Sequence, residues 1–438
     1  MSFRAARRPS PWRGAPKRVR KIVETGNKVS KSAADIPQTP SGATGLALVV
    51  LLGVLTAFPP MSLDLYLPGM PTIAASFGVP PDGAQATMAS FLAGLAIGQF
   101  FYGPASDRWG RRTPILFGAI LYVAASAACA MSPTLGALTA ARFVQALGGC
   151  AGGVVARAVV RDRFDYRESA RVLSLLMLIM GCAPIVAPLV GGWILQVSGW
   201  RGIFWLLVVF GTIAATWTFF SLPESRSAET EAKARSEHPV RAYLALLSNR
   251  KLVGFALAQA LNSGALFCYM SASPSLLIST YDIRPDHFGW LFGLNAAGLI
   301  GMSQVNRRLL RRRSPEEIVL LIRPLSLVFA VVLVATAFTG FGGLVGVLVP
   351  LFFCISTLGA MSPNTTAASF NIDPQRAGSV SALIGGGSFG VGALCSAIFS
   401  NIHGGGPRPL AVAILCCFVG SAVCLYTLAL PGGKRALT

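Results

Sequence analysis

Residues 84–131 read AQATMASFLAGLAIGQFFYGPASDRWGRRTPILFGAILYVAASAACAM, and this stretch decides the fold. Two apolar runs, 84–105 and 113–131, flank a short polar segment that carries Asp107, Arg108, Arg111 and Arg112. A run of about 20 apolar residues is what a helix needs to cross roughly 30 Å of hydrocarbon. The segment between the runs has room only for a tight turn, which glycine permits. The stretch therefore predicts two membrane-crossing helices joined by a basic turn.

Working outward, the same test gives spans at 46–68, 84–105, 113–131, 136–160, 171–195, 201–221, 252–278, 288–306, 316–338, 341–364, 376–400 and 409–430. The fold class is an all-α membrane protein of twelve transmembrane helices. Residues 222–249 are polar and charged, and they part the chain into two six-helix, pseudo-symmetric halves at 43–221 and 250–430. A weak internal echo supports duplication: Glu168-Ser-Ala-Arg-Val-Leu-Ser-Leu opens the fifth span and Arg376-Ala-Gly-Ser-Val-Ser-Ala-Leu the eleventh. Duplicated halves with a site between them near mid-membrane are a transporter architecture.

Charge gives the orientation. One set of loops holds Arg108, Arg111 and Arg112; Arg161, Arg163 and Arg167; Arg226, Lys233, Arg235, Arg241, Arg250 and Lys251; Arg307, Arg308, Arg311, Arg312 and Arg313; then Arg376, Lys434 and Arg435. The opposite loops hold Arg201, Arg284 and Arg408. Basic loops stay inside, so both termini are expected in the cytoplasm. Residues 1–42 carry ten Lys or Arg, two acids (Glu24 and Asp35) and no apolar run. A disordered basic cytoplasmic tail touching anionic lipid, an organelle transit peptide and an over-long start all fit that segment. Residues 431–438 form a second short cytoplasmic tail.

Composition agrees with lipid as the outer solvent. Of 438 residues, 53% are hydrophobic and 12% charged, against about 25% charged in a soluble protein; the mean hydropathy is +0.61. The net charge of +20 sits in the short loops that membrane topology fills, so no nucleic-acid partner is expected. Nine cysteines (Cys129, Cys150, Cys182, Cys268, Cys354, Cys395, Cys416, Cys417 and Cys424) all fall in apolar stretches without a CxxC pair. They read as small buried hydrophobes. His238, His287 and His403 lie in loops without ligand spacing, so neither a metal nor another cofactor is expected.

Few residues in the spans carry chemistry. Asp64 is the one of seventeen acids placed inside an apolar run, where an ionised side chain costs at least about 2.5–3.5 kcal/mol without a partner, a wet cavity or a proton. Arg142 and Arg157 lie fifteen residues apart on the fourth span, on similar faces of one helix. Asp64 and Arg142 are each read as about two turns from the outer side, which makes an ion pair between them an expectation. Gly103, Asp107, Arg108, Gly110, Arg111 and Arg112 form a turn whose charges pair with each other and with helix ends, a cytoplasmic gating motif. In the fifth span, Pro184 and Pro188 each remove a backbone donor and bend the helix, while Gly181, Gly191 and Gly192 admit close neighbours, a helix-kink motif. Gly385-Gly-Gly387-Ser388-Phe-Gly390 matches GxGxxG and GxSxG on paper but lacks the strand both need. It reads as helix packing, not catalysis. GxxxxGK[ST] does not occur in the sequence, so an ion gradient is the natural energy source.

At these residues the sequence resembles the Major Facilitator Superfamily, and within it the Bcr/CflA-type drug-resistance branch. Asp107-Arg108-Trp-Gly110-Arg111-Arg112 resembles the superfamily loop signature, and Arg142-Phe-Val-Gln145-Ala-Leu-Gly148 the motif of the fourth span. Ala183-Pro184-Ile-Val-Ala-Pro188-Leu-Val-Gly191-Gly192 is similar to the antiporter motif. Leu63-Asp64-Leu-Tyr66-Leu-Pro68-Gly-Met-Pro71 matches the branch's first span. Ser263 to Pro274, Phe292-Gly-Leu-Asn295 and Pro363-Asn364 are branch-like too. The similarity covers about 46–430. The second-half loop departs from the pattern: it reads Asn306-Arg307-Arg308, with no acid at the matching place.

The resemblance implies a proton-coupled exporter of small drug-like molecules in a bacterial inner membrane, with Asp64 and Arg142 coupling to the cavity. Alternating access is the expected mechanism, with Met61, Tyr66, Gln145, Asn262, Tyr269 and Asn364 as cavity candidates on spans one, four, seven and ten. The expected partners are a small-molecule substrate, protons and membrane lipid, and the expected state is a monomer. A carrier of one specific metabolite is the nearest rival, and a non-transporting receptor or scaffold a more distant one. No enzyme activity is expected.

Overall fold

The computed structural model describes residues 43–164, 166–226, 239–373, 376–399 and 406–430. The tails at 1–42 and 431–438, and 227–238 of the linker, lie outside the described residues, as do His238 and His403. The described residues form helices and turns, with no strand among them.

Twelve spans follow one another. Span 1 is broken: Ala43–Thr56, Phe58–Asp64, a turn at Leu67–Gly69, then Met70–Ser76, with a 42° bend between Leu46–Thr56 and Phe58–Ser76. Gln85–Trp109, Arg112–Ala130 and Leu135–Arg163 are spans 2 to 4. The helix Tyr166–Ser221 contains spans 5 and 6, parted at Gly199, where φ is 69°. That left-handed backbone suits glycine, which has no Cβ to clash. Span 7 is Arg250–Pro274, continued by Ser275–Thr280. Pro285–Leu309, Pro315–Thr339, Gly343–Ile372, Ala377–Phe399 and Pro407–Cys424 are spans 8 to 12.

By length and composition nine of the described helices can cross a membrane, or ten with the bent first span, taking the helix across Gly199 as one. Pro285–Leu309, with Asn295, Gln304 and Asn306 along it, completes the set. The boundaries have local causes. Thr134 caps span 4 by accepting the Ala137 N–H at 3.2 Å, and Asn249 caps span 7 through the Leu252 N–H at 3.2 Å. Ser314 and Glu317 form a capping box at span 9, with a proline in its first turn.

Two expectations change. Span 1 runs to Ser76 instead of ending at 68, because Pro59, Pro60, Pro68 and Pro71 sit at or near the starts of its short segments, where a missing N–H costs nothing. The linker also holds a short helix, Pro239–Leu247. Its Tyr243 ring meets Phe100 of span 2 at 5.5 Å, while Leu246 packs with Leu252, Val380 and Ile384 of spans 7 and 11. This helix therefore touches both halves.

The outer surface is apolar. Trp109, Trp193, Trp290, Phe220 and Leu394 are all exposed, as lipid contact allows and water would not. Trp109 lies at the end of the bundle that bears the basic loops, and Trp193 and Trp290 lie towards the other end, where aromatic belts form. The glycine run in span 11 packs as expected: Cβ atoms at Gly385 and Gly386 would fall 3.0 Å from Gln99 and 2.3 Å from Phe100 of span 2.

Candidate functional site

The halves meet along two helix pairs, span 2 with span 11 and span 5 with span 8. They also meet on the side opposite the basic loops, where Leu67–Gly69 touches spans 7 and 8, and Met70–Ser76 and Pro81–Ala84 touch Ser275–Thr280. Ser271 of span 7 donates to Gln85 of span 2 there, at 3.4 Å. Towards the basic-loop side, Arg157 of span 4 is exposed and a Cβ at Gly153 would meet nothing within 4 Å.

Asp64 of span 1 is 1% exposed. Among the described residues its Oδ1 has no hydrogen-bond partner. Tyr269 of span 7 is within electrostatic range of Asp64 and in side-chain contact with Asn295 of span 8. The Tyr269 hydroxyl and Asn295 Oδ1 both lack a hydrogen bond of good geometry. A carboxyl from one half thus lies within electrostatic reach of a phenol from the other, and polar capacity is left unspent. Phe292 stacks on Tyr269 at 5.3 Å and fixes the ring.

Arg142 is wholly buried and makes no ion pair with Asp64. Its guanidinium lies over the rings of Phe91 at 4.1 Å, Tyr66 at 4.6 Å and Phe204 at 5.8 Å, a cage of the kind that holds a cation by ring quadrupoles. Nη1 donates to the Ser62 carbonyl at 3.1 Å and to Gln145 Oε1 at 2.7 Å. Gln145 donates in turn to Ser126 at 2.7 Å, and Ser62 and Tyr122 share a hydrogen bond of 2.7 Å. The expected pair fails on direction: Arg142 reaches the level of Asp64, but it donates to the Ser62 carbonyl and lies over Tyr66, a side chain about 200° around span 1 from Asp64.

The other candidates divide. Tyr66 bonds Thr87 through its hydroxyl, and Gln145 spends both amide ends within its own half. Met61 is half-buried against the core. Asn262 Oδ1 accepts from Arg323 at 2.8 Å and Ser421 at 3.1 Å, and Asn364 donates to Asn306 at 2.6 Å and to Ala360 O at 2.8 Å. These two asparagines bind other spans of their own half. Tyr269 is the candidate the structure brings to Asp64. Sequence reasoning passed over Asn295 as a site residue and Arg323 altogether. Arg323 is wholly buried in span 9 with Nε and Nη1 unpartnered. An arginine beside Pro324 in an apolar run was the available signal.

The basic turn is built around Arg111, also wholly buried. Nε donates to Asp162 of span 4 at 2.7 Å, and Nη1 to Asp107 at 2.5 Å and Ser106 at 2.9 Å. Burial pulls its pKa down, but the hydrogen bonds to Asp162 and Asp107 outweigh burial and leave it raised. Gly110, at φ 87°, turns the chain so that Glu224, just past span 6, receives the backbone N–H groups of Arg111 at 2.8 Å and Arg112 at 3.2 Å. A Cβ at Gly110 would lie 2.4 Å from Glu224 Oε2. Partial burial raises the Glu224 pKa, but N–H donors from Arg111, Arg226, Arg112 and Ser225 prevail and lower it. Arg108 is exposed, and a Cβ at Gly103 would meet no described atom within 4 Å.

Against the expected kink, the backbone of span 5 stays helical through Pro184 and Pro188. Gly191 lies against span 1, where a Cβ would fall 2.1 Å from the Leu65 carbonyl oxygen. Ile185 and Leu189 meet Gly293 and Gly289 of span 8 in the other half. A Cβ at Gly181 would meet no described atom within 4 Å, and Gly192 is buried.

A model described as Major Facilitator Superfamily matches residues 50–397. A Haemophilus influenzae protein named bicyclomycin resistance protein homolog is 30% identical over 380 residues, 87% of this chain and 95% of that protein. The Escherichia coli multidrug resistance protein MdtL is 32% identical over 237 residues, 54% of this chain and 60% of its own. Among solved structures, a D-xylose-proton symporter superposes with a TM-score of 0.67 at 14% identity, covering 86% of this chain and 95% of that one.

Proposed function

The chain belongs to the Major Facilitator Superfamily, in its Bcr/CflA-type drug-resistance branch, and from that premise we propose that it exports small drug-like molecules in exchange for protons. It is a multi-pass membrane transporter, and it is not an enzyme. The observation that carries the finer reading is Asp64, a buried carboxyl with an unpartnered oxygen where the two halves meet. A charge sealed from water without a counter-ion is expensive, so gain and loss of a proton at Asp64 follow the sealing and wetting of its pocket.

In the cycle, the halves 43–221 and 250–430 rock about the central space, joined by 222–249. Substrate enters from the basic-loop side, taken as the cytoplasm, along Arg157 and an apolar wall with few polar anchors. Opening to the far side parts Tyr269 and Asn295 from Asp64 and wets the carboxyl, which takes up a proton as substrate leaves. Arg142 acts on this step from its aromatic cage by holding the Ser62 carbonyl beside Asp64. The Arg111 turn keeps spans 2, 3, 4 and 6 one body, and the fifth-span motif is the seam along which the halves slide. The protein works as a monomer in a bacterial inner membrane with both termini in the cytoplasm.

The test is transport in everted vesicles. Asp64→Asn is expected to bind substrate yet lose dependence on the proton gradient. Proton-driven export surviving in that variant removes Asp64 from the coupling role.

A further inference from the structure

We infer that Cys268, Cys395 and Cys417 form a binding site for one soft monovalent metal cation of the Cu(I) class within the carboxy-terminal half. The sequence spreads these residues over spans 7, 11 and 12, yet their Sγ atoms all lie within 4.8 Å of one another. Metal–sulfur bonds of about 2.3 Å place three sulfurs around one ion about 4 Å apart, so little movement closes the triangle. Gly264 keeps the floor of the site clear. A Cβ there would fall 3.4 Å from Cys417 Sγ and 3.5 Å from Cys395 Sγ. Cys268 and Cys417 are buried and Cys395 is half-buried, which makes Cys395 the point of entry.

The donor set selects the ion. Thiols and thiolates are soft ligands that favour Cu(I) and its congeners. The group contains neither histidine nor carboxylate, so zinc's tetrahedral demand goes one ligand short. Cys268 and Cys417 belong to an apolar core with Ala265, Phe267 and Phe418, and a net charge there is costly. The cheapest complex is neutral: one thiolate and two thiols on a monovalent ion. Three metal–sulfur bonds form, one S–H bond breaks, and its proton leaves to water. No electron is transferred, so redox-inert Ag(I) is a fair probe.

No ligand spacing in the chain points to a metal, since helices crossing in a bundle join residues with no shared spacing. The inference is independent of the transport reading. It is tested on the full chain, reduced and purified in detergent, titrated with Ag(I) against an excess of thiosulfate, a competitor that exchanges no proton near neutral pH. Expected are one retained Ag(I) per chain, one proton released per ion, a tenfold rise in affinity per pH unit, and protection of Cys395 from alkylation as read by mass spectrometry. Cys182→Ser with Cys416→Ser, which removes the exposed thiols, should retain the ion. The triple variant C268S/C395S/C417S should lose it, and Cys395→Ser alone should weaken retention at least tenfold should the triple variant not fold. Failure of the wild type to hold Ag(I), equal retention by Cys395→Ser, or displacement of Ag(I) by equimolar Zn(II) overturns the assignment.

Discussion

Replacing Arg111 with alanine is expected to destabilise the amino-terminal half by roughly 3 kcal/mol, and the structure says which contact is responsible. The guanidinium is 0% exposed; of its two carboxylate partners Asp162 is 10% exposed and Asp107 41%. Removing one member of a buried pair costs about 3–5 kcal/mol, because it strands the other charge. The lower end applies, since Asp162 keeps some contact with water. The Asp107 arm is largely solvated and adds about 0–1 kcal/mol. A double-mutant cycle separates the two. Unfolding in mixed detergent micelles would be measured for Arg111→Ala, Asp162→Asn and the double variant, then repeated with Asp107→Asn. The double variant with Asp162→Asn strands no charge, so the coupling should reach about 1.5–3 kcal/mol. Coupling to Asp107 should stay below about 1 kcal/mol. Additivity within about 0.5 kcal/mol for the Asp162 cycle, or the reverse order of the two couplings, refutes the reasoning.

Glu224→Gln tests the clasp on the same turn through pH. The folded Glu224 pKa lies below its ordinary value of 4.5, so its stabilisation is complete above that value and lost as pH falls through the folded pKa. The wild type should exceed the variant in thermal stability at neutral pH and converge on it in acid; a gap that widens in acid contradicts this. Gly191→Val puts a side chain where a Cβ already falls 2.1 Å from Leu65 O. Overpacking of about 1–3 kcal/mol should follow, with span 1 forced from span 5 and transport lost, whereas wild-type transport would show that the contact between spans 1 and 5 has slack. Arg323→Met removes a buried guanidinium that has no carboxylate partner among the described residues, so the fold should be unchanged or stabilised by about 1–4 kcal/mol. Loss of more than about 1 kcal/mol would mean that the bonds to Asn262 and Ser421 outweigh the burial penalty.

The sequence by itself determined the spans, their number, the basic face and the short list of polar residues that hydrocarbon must accommodate. Those follow from one-dimensional quantities: apolar run length, loop charge, and the cost of a charge at bilayer depth. Asp64, Arg142 and the turn around Arg111 were legible because each breaks an apolar run or punctuates one. Tertiary structure alone decided who meets whom. Asp64 lies within electrostatic reach of Tyr269 of the other half and makes no pair with Arg142, because Arg142 meets span 1 at Ser62 and Tyr66, on another face of that helix. Glu224 reaches Arg111, and three thiols from spans 7, 11 and 12 converge, for a related reason. A helix with apolar residues all around carries little periodic signal of which face is inward. Its rotation and crossing are fixed by close packing at positions such as Gly191, Gly264 and Gly386, where the room for a neighbour is set by atoms remote in the chain.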